Sequence, residues 1–224
     1  MRRVMMSILA ITALLAVSPM SASAVPTTMH VANTTAGNQA WSSVGLTFNV
    51  TAPHVTVLEL GIYDSGADGI IGDDAGDDDV TLTTVLFDAQ QNVIALQTFT
   101  PSDPGVFDAV SNYWFKPITP LALPVGQYTI AGYGWDRANL EHNSNLGGLG
   151  PTFNGGAVQF FQSVWGTPPG VDLPPVFPTQ TYGPAAPDFF DGPNMIYQVP
   201  APGAILLGAI GMSLVGYLRR RNAL

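Results

Sequence analysis

The stretch Val80-Thr81-Leu82-Thr83-Thr84-Val85-Leu86-Phe87, Asp88-Ala89-Gln90-Gln91-Asn92, Val93-Ile94-Ala95-Leu96-Gln97-Thr98-Phe99 reads as strand, polar turn, strand. Its first arm has two alternating sets, Val80, Leu82, Thr84, Leu86 and Thr81, Thr83, Val85, Phe87, and both are partly apolar. That predicts a strand that is central or covered on two sides. Asp88 and Asn92 suit the hydrogen bonds of the connecting turn.

Outward from this hairpin the same rhythm continues, with short apolar or alternating runs cut by Gly, Pro, Asn and Asp. Further strands are predicted at Val44 to Val50, Val55 to Tyr63, Tyr113 to Ile118, Gln127 to Tyr133, Ala157 to Trp165 and Met195 to Val199. No helical periodicity occurs between Val25 and Gln198, so the expected class is all-β, an antiparallel β-sandwich of jelly-roll or Ig-like type. Pro117, Pro120 and Pro124 have no N–H to donate, which puts their strand at an edge or ends it early. From Thr167 to Pro193 prolines crowd around Phe177, Tyr182, Phe189 and Phe190. This segment is expected to be an extended loop or stalk whose aromatics cover the sheet edge rather than stack on sugars.

The ends differ from this body. Met1-Arg2-Arg3, an apolar run from Ile8 to Val17 and the triplet Ala22-Ser23-Ala24 give the order of a signal peptide, with cleavage after Ala24. At the other end Val199-Pro200-Ala201-Pro202 precedes an apolar run from Gly203 to Leu218, then Arg219-Arg220-Arg221. A helix over that run extends ~24 Å at ~1.5 Å per residue, against a hydrocarbon core of ~30 Å, so its arginines must snorkel or the bilayer thin. Arginines beyond the run place the C-terminus inside and the body outside. The expected organisation is a signal peptide at 1–24, a sandwich at 25–165, a proline-rich segment with a final strand at 166–198 and a tail at 199–224 containing a transmembrane helix.

Charge removes one class of partner. Of 7 basic residues only Lys116 and Arg137 lie between the ends, against 16 acids from Glu59 to Asp191, a net −14 for the body. Nucleic-acid binding needs Lys and Arg to displace counterions, so it is excluded. Cysteine is absent. Stability must therefore come from the core, and thiolate chemistry is excluded.

The tail resembles the PEP-CTERM sorting signal: a Pro-Glu-Pro motif, one hydrophobic helix and a terminal arginine cluster. Pro200 and Pro202 match the two prolines, while Ala201 stands where glutamate is usual, which points to a variant reading Val-Pro-Ala-Pro. The resemblance implies an exosortase-type membrane protease as partner, membrane attachment through the helix, and delivery to the cell surface or extracellular matrix, where exopolysaccharide is a further partner. Leu60-Gly61-Ile62-Tyr63-Asp64, Asp68-Gly69, Val85-Leu86-Phe87-Asp88 and Gly126-Gln127-Tyr128-Thr129-Ile130 are similar to a β-sandwich module found in such proteins. That likeness covers about half of the body and implies fold only.

Seven aspartates, Asp64, Asp68, Asp73, Asp74, Asp77, Asp78 and Asp79, fall within 16 positions of one loop. Glycines let such a loop bend until its oxygens converge, and Ca²⁺ takes 6 to 8 oxygen ligands. The pattern is not an EF-hand, since Ala75 stands where the bidentate Glu belongs. A solvated acidic loop is the competing reading. Among His30, His54 and His142 no catalytic base is selected: His142, Ser144 and Asp136 can be written as a triad, but no nucleophile elbow supports it. The sequence thus predicts a non-enzymatic protein with a structural or interaction role, against a calcium-assisted carbohydrate-binding module. Trp41, Trp114, Trp135 and Trp165 discriminate: exposed near the acidic loop they mark a lectin-like site, buried they mark a structural body.

Overall fold

The computed structural model describes residues 24–31, 43–64, 67–71, 80–135, 145–147, 152–153, 156–166, 176–182, 188–190, 192–200 and 202–222. A body, Val25–Val199, is one compact unit, and the terminal segments form another. In chain order the body's strands are β1 (Thr27–Thr28), β2 (His30–Val31), β3 (Ser43–Val50), β4 (Val55–Tyr63), β5 (Leu82–Phe87), β6 (Val93–Phe99), β7 (Val106–Asp108), β8 (Tyr113–Leu123), β9 (Gly126–Tyr133), β10 (Asn145–Gly147), β11 (Thr152–Phe153), β12 (Val158–Trp165), β13 (Gln180–Tyr182), β14 (Asp188–Phe190) and β15 (Pro193–Gln198). They build a five-stranded sheet, β1-β15-β4-β8-β7, and a six-stranded sheet, β13-β12-β3-β9-β5-β6, with two small ribbons, β10-β14 and β11-β2. Every pairing among them is antiparallel.

All eight strands expected from the sequence are present. β5 is buried along its whole length, as its two partly apolar faces require. One face contributes Leu86 to the main core, and the other sets Val85 and Phe87 beside Ala131 and Tyr133, with Phe177 packed over them. The turn after β5 forms as its residues dictate. The Asp88 carboxylate accepts from the Gln90 and Asn92 backbone N–H groups at 2.9 Å each, and from the Asn92 side-chain amide at 2.9 Å. Asn92's side chain above all, then its backbone N–H, hold the Asp88 carboxyl below its usual range.

β8 corrects the expectation of an edge or shortened strand, since it lies between β4 and β7 and runs on to Leu123. β7 covers its outer edge only at Tyr113 to Phe115, so Pro117 and Pro120 fall on a free edge, where a missing N–H costs no ladder bond. On its inner edge Glu59 pairs with Pro117 but Val57 with Leu121, so the proline stretch bulges out and the strand resumes to Leu123. The proline-rich segment is likewise more than a stalk, since β13 joins the six-stranded sheet and β15 lies between β1 and β4. Two of its aromatics cover apolar surface, Phe177 on Phe87 at 5.2 Å and Phe190 on Trp165 at 6.0 Å.

The two sheets share their core. Leu46, Phe48 and Val50 of β3 and Ile130 of β9 lie in one buried cluster with Val55, Val57 and Leu60 of β4 and Met195 and Tyr197 of β15. The buried Thr84 hydroxyl crosses between the sheets to donate to the Gly61 carbonyl at 2.8 Å. A second cluster fills the end nearest the acidic loop, where Val44, Ile62, Ile70, Val80, Leu82, Phe99 and Phe190 surround Trp135. The Trp135 ring lies directly over the α-carbons of Gly132 and Gly192 and leaves no room for a methyl group on either.

In the terminal unit, α1 (Pro202–Asn222) covers the predicted apolar run and ends in Arg219, Arg220 and Arg221. Its described side chains, from Ile210 to Arg221, are exposed. Among the described residues no helix is long and apolar enough to cross a membrane. The arginines occupy the last turn of α1, so its apolar part is shorter than the helix.

Gly132→Ala forces Trp135 out of its slot, an overpacking cost of about 1–3 kcal/mol. At ~2–4 °C per kcal/mol for a body of this size, the melting temperature should fall by several degrees, with a shift in tryptophan emission. An unchanged melting curve contradicts this packing.

Candidate functional site

The turn that opens the acidic loop holds a buried carboxylate, Asp64. β4 ends at Tyr63, and Asp64 turns inward with no exposed surface. Its Oδ2 accepts from the Trp114 indole N–H at 2.7 Å and from the Gly69 backbone N–H at 3.0 Å. The side-chain amide of Asn112, itself at φ 65°, donates to the Asp64 carbonyl at 3.4 Å. Gly69, at φ 111°, and Ala67, at φ 58°, close the turn in left-handed conformations, and Ile70 is then drawn into the Trp135 cluster. The loop is thus anchored twice, by a carboxylate and by an isoleucine.

This arrangement has an electrostatic cost. Burial pushes the Asp64 carboxyl above its ordinary range, and the bonds from Trp114 and Gly69 oppose that shift without cancelling it; the Asp68 charge adds to it. Its Oδ1 is buried with no hydrogen-bond partner among the described residues. A carboxylate oxygen in that state is a natural ligand for a cation or a seat for a proton. Asp68 is exposed. The remaining predicted ligands, Asp73, Asp74, Asp77, Asp78 and Asp79, lie outside the described residues. Among those described, no group of three or more His, Asp or Glu side chains is placed to hold a metal.

The three described tryptophans are packed. Trp135 is 1 % exposed, Trp114 is half-buried against Phe107 with ring centres 5.2 Å apart, and Trp165 leans on Phe190. Trp41 lies outside the described residues. Of the histidines, His54 sits exposed in a tight turn at φ 64°. His30, unlike a solvated loop residue, is fully buried, with Nε2 2.9 Å from the Tyr113 hydroxyl. That contact was not legible locally, because β2 is two residues long and His30 is 83 positions from Tyr113. His142, Ser144 and Asp136 lie outside the described residues, as do Ala22 and Ala201. Ala24 lies just ahead of β1, and Val199 and Pro200 follow β15 directly. Pro202 is the first residue of α1 and Arg219, Arg220 and Arg221 lie in its last turn.

Set against known protein families, curated proteins and solved structures, the chain matches none.

Because its carboxyl is raised, folded Asp64 holds its proton to a higher pH than the unfolded chain does. It therefore withdraws stability as pH rises from the ordinary carboxylate range through the raised value. Asp64→Asn keeps an oxygen acceptor and cannot ionise. In calcium-free buffer its urea midpoint should gain on that of the unsubstituted protein as pH goes from acid to neutral. A difference that stays constant with pH contradicts the assignment.

Proposed function

We propose that the chain is an exported cell-surface or extracellular-matrix protein with a structural or interaction role, sorted through its C-terminal tail in the PEP-CTERM manner. The two sheets are the layers of a β-sandwich of jelly-roll or Ig-like type, presented outside the membrane. The observation that carries the reading is α1, whose exposed Ile210, Met212, Leu214, Val215, Tyr217 and Leu218 spread over most of its circumference with no charged residue among them, before it ends in three arginines. A helix without a charged face is poorly placed in water, and its natural seat is an apolar medium with the cations at the interface. Its short apolar part suits a segment that an exosortase-type protease removes at Val199-Pro200-Ala201-Pro202. A non-catalytic body accords with three tryptophans used for packing and with a buried histidine bound to a tyrosine.

Protease added to intact producing cells should degrade the body while a cytoplasmic marker survives. Survival of both body and marker overturns the orientation. Replacing Pro200 and Pro202 with alanine should shift the protein from the matrix fraction to the membrane fraction, and unaltered partition counts against processing at that motif.

A calcium-assisted carbohydrate-binding module is the second reading, favoured by the unpartnered Asp64 Oδ1 at the root of the aspartate loop. An ion bound at about 100 times its dissociation constant adds ~2.7 kcal/mol to stability. The melting temperature should then rise by several degrees in calcium over chelator at matched ionic strength. Superimposable curves leave the solvated-loop reading.

A further inference from the structure

The outward face of the six-stranded sheet carries a polar ladder that nothing above uses. Gln162 of β12 pairs with Thr47 of β3, Thr47 with Thr129 of β9, and Thr129 with Phe87 of β5, forming one row across four strands. The next row sets Gln159 beside Asn49 and Asn49 beside Gln127. Alternate residues of β3, namely Leu46, Phe48 and Val50, face the core, so Thr47 and Asn49 point away from it.

A cup of about 140 Å³ lies over this ladder, floored by Thr47, Thr129 and Gln162. The Asp88 to Gln91 turn and Phe177 form its walls. Phe177 is fixed: its ring stands edge-on to Phe87 at 5.2 Å, and the Tyr133 hydroxyl donates to the carbonyl of neighbouring Val176 at 2.7 Å. Gln91 is held at φ 65°, a strained conformation for a residue with a side chain. The Thr47 and Thr129 hydroxyls share one bond at 3.0 Å, the Gln127 amide has only a 3.4 Å contact with Asn49, and the Gln162 amide has no partner among the described residues.

We propose that this cup is a subsite for a neutral saccharide. Amides and hydroxyls each offer donors and acceptors together, which matches sugar hydroxyls, themselves both donor and acceptor. Phe177 supplies an apolar wall for the C–H face of a pyranose ring, and a cup of this volume takes a single sugar unit of a longer chain rather than a whole ligand. Charge excludes the rivals. Neither Lys nor Arg lines the cup, and the Asp88 carboxylate is engaged by the turn's own N–H groups, so an acidic sugar or a phosphate finds repulsion and no counter-charge. A peptide strand docks on a sheet edge, where backbone groups are free, whereas this site is a sheet face. The inference names a ligand class for the interaction role proposed above and rests on that reading only for the ligand's source. The cup is also remote from the aspartate loop, at the opposite end of β5, a strand of six residues or ~20 Å at ~3.3 Å per residue. Binding here is therefore independent of calcium.

Saturation-transfer NMR on the full chain in a sugar-free detergent tests this. The probes are neutral gluco-, galacto- and manno-oligosaccharides, oligogalacturonate and an uncharged extended peptide. The expected result is transfer to ring protons of at least one neutral oligosaccharide, unchanged by chelator, with affinity about tenfold lower in Gln162→Ala and unaltered in Gln97→Ala on the sheet edge. Gln162 is a partly exposed surface residue, so its removal leaves the fold intact, and circular dichroism checks this. The proposal is overturned if no neutral oligosaccharide receives saturation, if oligogalacturonate or the peptide is preferred, or if Gln162→Ala binds as well as the parent. None of these outcomes bears on surface exposure, which protease treatment of intact cells reads separately.

Discussion

Burial of one sheet's inward face against the other is the interaction on which the rest of the body depends. With no cysteine in the chain, the contact of Leu46, Phe48 and Ile130 with Leu60, Met195 and Tyr197 must offset the conformational entropy of more than a dozen strands. A second buried cluster around Trp135 takes over toward the loop side, and the long strands β3, β4 and β5 supply apolar residues to both. Polar contacts then fix how the sheets meet. Thr84 reaches Gly61 across the core. Lys116, almost wholly buried, bonds the Thr98 carbonyl and the Asp103 carboxylate at 2.6 Å each, and so ties the β6 edge to β8. With Asp103 largely in water, the value of Lys116 lies less in the ion pair than in satisfying a carbonyl between two sheet edges.

The long strands were legible because each holds enough residues for a period of two to rise above composition. β3, β4, β5, β6, β9 and β12 begin and end within two residues of their expected limits. β1, β2, β7, β10, β11, β13 and β14 are two or three residues long, and no periodicity can be counted over such a length. Their existence depends on a partner far away in the chain, as when Thr27 meets Tyr197. The strand of Pro117, Pro120 and Pro124, expected at an edge or cut short, instead lies between β4 and β7 and runs to Leu123, with Pro117 and Pro120 beyond the reach of β7, because a proline reports only the missing donor. The bulge that lets β8 continue is set by Glu59 and Val57 on β4, which the local sequence does not contain.

The polar sites show the same division. Seven aspartates in one loop were visible as a cluster, yet nothing local distinguishes Asp64 from its neighbours. Its burial comes from Trp114, 50 positions away, and from the turn at Gly69. The cup was less legible still, since Thr47, Thr129 and Gln162 become neighbours only through the register of three strands. What the sequence offered there was a hint: the outward positions of β3, β9 and β12 are rich in Thr, Asn and Gln and carry no charge, in a body otherwise strongly acidic.

The proposed processing of both ends is most directly read from the mass of the mature chain. Intact-protein mass spectrometry of material recovered from the surface or matrix of producing cells should give a species that begins at Val25 and stops at the Val199 to Pro202 motif. A recovered species that still carries Met1 to Ala24 and the arginine cluster would contradict it.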